Sequence, residues 1–79
     1  MVNLGHQIRT HRLRQGLRQE DIAIRMGTSR TYVSLIELNR VDPSLNKVTG
    51  IAAALGLTVI ELLTDIAPPG AESPAAAAD

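Results

Sequence analysis

"QEDIAIRMGTSRTYVSLIEL", residues 19–38, decides the fold. Two runs of about eight residues carry apolar side chains at helical spacing, and Gly27 separates them. The first run predicts a helix over 19–26, with Glu20 and Asp21 in its first turn, where they favour the positive end of the dipole. Gly27 suits a sharp turn, because a β-carbon there would crowd a left-handed backbone or the preceding helix. Ser29 is the N-cap of a second helix that stops near Leu38, with Asn39 suited to left-handed geometry.

Ala23 faces inward, where a small side chain lets the next helix approach closely. Val33 and Ile36 pin that helix from its other side. Arg30, Thr31, Ser34 and Leu35 are then expected to project outward. This is a helix-turn-helix arrangement whose second helix presents a mostly polar face, and such a surface suits the major groove of DNA.

The remaining stop signals predict three more helices: 4–15, between Asn3 as N-cap and Gly16; a segment from Ser44 as N-cap to Gly56; and a segment over about 58–66, opened by a Thr58–Glu61 capping box. Leu45, Val48, Ile51, Ala52 and Leu55 repeat at helical spacing. No strand pattern appears, so the expectation is an all-α bundle of five. The folded unit is read as residues 1–66. The tail from Ala67, "APPGAESPAAAAD", is too poor in periodic apolar residues to offset its ordering entropy and is expected to be disordered.

A chain of 79 residues with no cysteine has neither a disulfide framework nor a zinc–cysteine site. It carries no bilayer-length apolar run and no signal-peptide layout, so the expected location is cytoplasmic, at the nucleoid. Net charge is zero, but unevenly spread. Residues 1–41 hold seven arginines against three acids (+4), and residues 42–79 hold Lys47 against five acids (−4). One end of the chain is therefore basic enough for a polyanion. His6 and His11 are five apart and lack companion ligands, so no metal site is expected. No nucleophile or phosphate-cradling loop accompanies Arg12 and Glu37, which argues against an enzyme. No cofactor or small-molecule ligand is indicated.

Over about residues 5–57 the chain closely resembles the phage repressor/Cro (XRE-like) helix-turn-helix family. The shared elements are Ile-Arg, Gly-Leu-x-Gln-Glu, the small-residue turn, Ile-Glu, Pro-Ser-Leu and Ile-Ala-x-Ala-Leu-Gly. "SRTYVSLIE" is particularly similar to the controller proteins of restriction–modification systems. The resemblance implies a five-helix repressor domain that binds duplex DNA, usually as a dimer. It implies that Arg30, Thr31 and Leu35 read bases, that Gln19 contacts phosphate and braces the recognition helix, and that Arg12 and Glu37 form a structural salt bridge.

On chemistry, Arg30 either forks onto guanine O6 and N7 or meets a phosphate, and Leu35 either packs on a thymine methyl or covers the core edge. Tyr32 straddles core and rim with its hydroxyl free for a phosphate. Ser29, Ser34, Asn39 and Arg40 are further DNA-backbone candidates. Arg18 stands where the family has a Ser or Thr cap, and could reach a phosphate instead.

In the fifth helix Val59 and Leu62 are expected to face the core. Ile60, Leu63 and Ile66 are left as an exposed patch, the expected homodimer interface. Two-fold pairing there would set the recognition helices about one DNA turn apart, roughly 34 Å, on a near-palindromic operator. A reading of another class is an antitoxin-type interaction module that binds a partner toxin.

Overall fold

The computed structural model describes residues 3–64. Five helices follow in order: α1 (Leu4–Arg14), α2 (Gln19–Met26), α3 (Arg30–Glu37), α4 (Leu45–Ala54) and α5 (Val59–Leu63). No strand occurs among the described residues. Ile66 and the segment 67–79 lie outside them.

Side chains set the helix starts. Asn3 accepts from the His6 N–H at 3.0 Å, Ser29 from Tyr32 at 3.1 Å and Ser44 from Lys47 at 3.3 Å. Thr58 accepts from Glu61 at 3.1 Å, and the Glu61 carboxylate answers to the Thr58 N–H at 2.8 Å. At α2 the cap residue is Arg18, which has no acceptor to offer. Only the returning half of a capping box forms there, Asp21 accepting from the Arg18 N–H at 2.7 Å. That backbone hydrogen bond, helped by the Arg18 guanidinium, holds the Asp21 carboxyl below the usual carboxylate range.

Two glycines are needed for different reasons. Gly27 ends α2 at φ 70°, letting the Thr28 N–H reach the Ala23 carbonyl at 2.9 Å. A β-carbon on Gly27 would meet nothing within 4 Å. The need there is for left-handed backbone and not for space. Gly5 is the opposite case: a β-carbon would lie 2.4 Å from the Glu37 carbonyl oxygen and 2.7 Å from that of Ile36. The last turn of α3 lies directly on the first turn of α1. Asn39, left-handed at φ 57°, fastens that crossing. Its Oδ1 accepts from the Gly5 N–H at 3.2 Å, and its amide donates to Asn3 Oδ1 at 2.9 Å.

The helices close a ring. α1 packs on α3 and α5, α3 on α2, α2 on α4, and α4 on α5. Ile8, Ile22, Ala23, Val33, Ile36, Val48, Ile51, Ala52, Ala54, Leu55 and Leu62 form one buried core. Val59 packs against it, as expected. Leu45 departs from expectation: it stands on the rim of α4's inward arc, in the first turn, and is 73% exposed.

Polar side chains tie the ring shut. Gln15 and Arg25 donate to the Leu55 and Ala54 carbonyls, each at 2.7 Å, covering the C-terminal end of α4. Gln7, buried in α1, donates through Nε2 to the carbonyls of Leu62 and Thr64. α5 ends at Leu63, where these bonds take up carbonyls at its C-terminal end. Thr64 turns extended, its hydroxyl bonds back to the Ile60 carbonyl at 2.7 Å, and Gln7 takes the freed carbonyl.

His11 lies on the same face of α1 as Gln7, one turn on. Its Nε2 is enclosed without a hydrogen-bond partner. Burial lowers its pKa from the ordinary 6.5, Arg14 adds to the fall, and Glu61 on α5 opposes it. The folded chain therefore holds fewer protons at His11 than the unfolded chain, and stability falls as pH drops through 6.5 towards the lowered value. Between about pH 8 and pH 5 the thermal midpoint of the wild type should fall further than that of His11→Leu. Parallel curves would assign the acid sensitivity elsewhere.

Candidate nucleic-acid interface

The outward face of α3 is built from the inside. Val33 and Ile36 are buried and fix the helix's rotation. Arg30 and Thr31 are exposed on the opposite side, while Ser34 and Leu35 are half-buried. Leu35 is thus partly covered by its own fold, less free than an outward leucine was expected to be. Leu38, at the end of the same face, is 59% exposed.

Four polar side chains fix this helix to its neighbours. Arg12 in α1 grips Glu37 in α3 with two hydrogen bonds, Nε to Oε2 at 2.7 Å and Nη2 to Oε1 at 3.0 Å. The third donor, Nη1, reaches the Leu17 carbonyl at 3.0 Å. The two side chains are only 10% and 3% exposed. A buried bidentate pair of this kind keeps its geometry, because neither charge has water to retreat to. Gln19, the first residue of α2, donates to Glu37 Oε1 at 3.1 Å. Its own Oε1 accepts from Arg30 Nη1 at 3.3 Å. A continuous path Arg12–Glu37–Gln19–Arg30 therefore runs from the buried ion pair to the exposed start of α3.

The other expected DNA-facing residues differ in how they are held. Arg18 is 75% exposed along its side chain and rests against Glu20 at 3.7 Å and Asp21 at 3.4 Å. Exposed pairs of this kind are weak, about 0–1 kcal/mol, so a phosphate could take the guanidinium over at little cost. Ser29 accepts from Tyr32 N–H but keeps its own proton to donate, and Arg40 is exposed just beyond α3. Asn39 belongs elsewhere: its side chain is engaged by Gly5 and Asn3. The Tyr32 ring is half-buried, with the Lys47 ammonium 5.9 Å from its centroid. Of the expected dimer patch, Ile60 is 79% and Leu63 38% exposed.

Sequence reasoning missed Gly5, Gln7 and Lys47. Gly5 and Gln7 carry no local signal, since each is defined by an element more than thirty residues away. Lys47 did have one, as the only lysine of the chain. Among the described residues no group of three or more His, Asp or Glu is gathered to hold a metal ion. No helix among them is long and apolar enough to cross a membrane.

Two short helices joined through a left-handed glycine, the second with a pinned inner face and a polar outer one, define a helix-turn-helix unit. Residues 3–64 match the helix-turn-helix domain family, and the chain belongs to that family, in its XRE-type branch of phage repressors and controller proteins. A hypothetical transcription factor from Neisseria meningitidis is 38% identical over 60 residues. The match covers 76% of this chain but 57% of that relative, so the chain spans little more than half of its length. The controller protein C.AhdI of Aeromonas hydrophila has the same fold, with a TM-score of 0.74 and 34% identity over 77% of this chain and 92% of that one. The C.Esp1396I controller tetramer, solved in complex with its natural 35-base-pair operator, gives a TM-score of 0.72 at 28% identity, covering 77% of this chain and 80% of that one.

Removing the carboxylate of Glu37 should be severe. Glu37→Gln leaves Arg12 charged and buried without its partner, an expected loss of about 3–5 kcal/mol. Urea unfolding measures it, and a loss below about 1 kcal/mol would show that the pair does not hold α3.

Proposed function

We propose that this chain is a transcriptional regulator that binds duplex DNA sequence-specifically, as a homodimer on a near-palindromic operator. The observation that carries this reading is the outer face of α3. Arg30 is steadied by Gln19 at 3.3 Å, and Thr31 stands exposed beside it, on a helix whose inner face is locked. A rigid helix with a fixed arginine at its N-terminal end suits major-groove readout, where register matters to a fraction of an ångström. The fold shared with an operator-bound controller protein supports it.

Arg30, Thr31 and Leu35 are proposed as base-reading residues. Arg18, Gln19, Ser29, Tyr32, Ser34 and Arg40 are proposed to hold the phosphates. Phosphate contacts position the protein and base contacts select the site. No reaction is assigned, and the regulator would act in the cytoplasm, at the nucleoid.

Duplexes selected from a random pool at about 150 mM salt should converge on a palindrome with half-sites about ten base pairs apart. Against that operator, Arg30→Ala should lose about 1–3 kcal/mol of discrimination over unrelated DNA. An unchanged ratio of specific to random affinity would remove Arg30 from the base-reading set. Failure of the pool to converge would favour an interaction module with a protein partner.

Ile60 and Leu63 are proposed to form the two-fold interface. Ile60→Asp should shift the sedimentation mass from dimer to monomer at low micromolar concentration. An unaltered mass would place the interface elsewhere.

A further inference from the structure

Two of the proposed backbone contacts, Arg18 and Gln19, sit at the start of α2, beside Arg30 of the recognition helix. At 100° per residue, Arg30 stands on the Ser34 side of α3's outer face and Tyr32 on the Leu35 side, so the two residues mark opposite edges. Arg30 meets Gln19 of α2, with Arg18 next to it in sequence. Tyr32 meets Lys47 of α4, the ammonium standing 5.9 Å from the ring centroid. A helix lying in the major groove is walled by two phosphate strands about 12 Å apart, one along each edge.

We infer that Lys47 is a DNA-backbone contact, serving the strand opposite the one that Arg18 and Gln19 face, with the Tyr32 ring as its platform. The inference rests on the DNA-binding reading. Three observations carry it. Lys47 is exposed, so its charge is not committed to the interior. It is the only lysine of the chain and the only basic residue beyond Arg40, within a segment that otherwise carries acids alone. A cation in that segment, stationed against the recognition helix, gives the far edge the positive charge that α4 and α5 otherwise lack. The ring restricts where a flexible four-carbon stem can place its ammonium, and a stacked cation can still donate its N–H groups outward to a phosphate.

The test is the salt dependence of binding by the full chain to a random-sequence 30-base-pair duplex, read by fluorescence anisotropy between about 50 and 300 mM KCl, with thermal melts recorded in parallel. Lys47→Met should lower the slope of log affinity against log salt by about 0.9 per bound protomer. It should weaken specific and random duplexes by the same factor. Lys47→Arg, which keeps the charge, should restore the slope. A Lys47→Met protein that melts lower but keeps the wild-type slope would show that the lysine serves only to pack on Tyr32, and would overturn the inference. A wild-type chain with no salt-dependent binding would overturn the DNA-binding reading and this inference together.

Discussion

The Arg12–Glu37 pair is the constraint on which the rest of the molecule depends. Its two hydrogen bonds at 2.7 and 3.0 Å join the first helix to the third. Both side chains are almost fully removed from water, so neither can leave without stranding a buried charge. Glu37 also receives Gln19, so the same carboxylate sets the distance between the two helices of the helix-turn-helix. A surface ion pair could not do this, since exposed side chains exchange freely with solvent. The cost of desolvating this pair is offset by hydrogen bonds at all three guanidinium nitrogens and both carboxylate oxygens.

From that centre the order extends in two directions. Towards the proposed interface it runs through Gln19 to Arg30. Towards the other end of α1 it runs through Gly5, Asn3 and Asn39, which clamp the end of α3 on the start of α1. The first helix is thus more than a cover for the core. Gln7 does for α5 what Arg12 does for α3, capturing carbonyls that the short helix cannot satisfy itself. A helix of five residues is far below the length that stands alone in water. Here it is held by the buried Leu62, by Val59 packed against the core, by the Thr58–Glu61 capping box and by Gln7.

The unevenness of the charge acquires a meaning in this layout. All seven arginines lie within residues 1–41, and five of the eight acids lie beyond them. The proposed DNA side and the proposed dimer side therefore have different characters, one cationic and hydrogen-bonding, the other apolar around Ile60 and Leu63. Zero net charge does not oppose a polyanion partner when the field is divided in this way.

What the sequence determined by itself was the local grammar: Asn3, Ser29, Ser44 and Thr58 as caps, Gly27 as the left-handed stop, and the apolar spacing that turns Val33 and Ile36 inward. Each of these acts within four residues, so each could be read from its neighbours. The Arg12–Glu37 pair was legible only through resemblance, since no spacing joins residues 25 apart. The tertiary structure alone decided the rest. It set the need for glycine at position 5, the engagement of Asn39 by α1, the early end of α5, the outward Leu45, the half-covered Leu35, and the placing of Lys47 over Tyr32. In most of these the deciding neighbour lies far along the chain, or the side chain stands at a helix rim where periodicity no longer says which side is covered. Such contacts exist only once the ring of helices has closed.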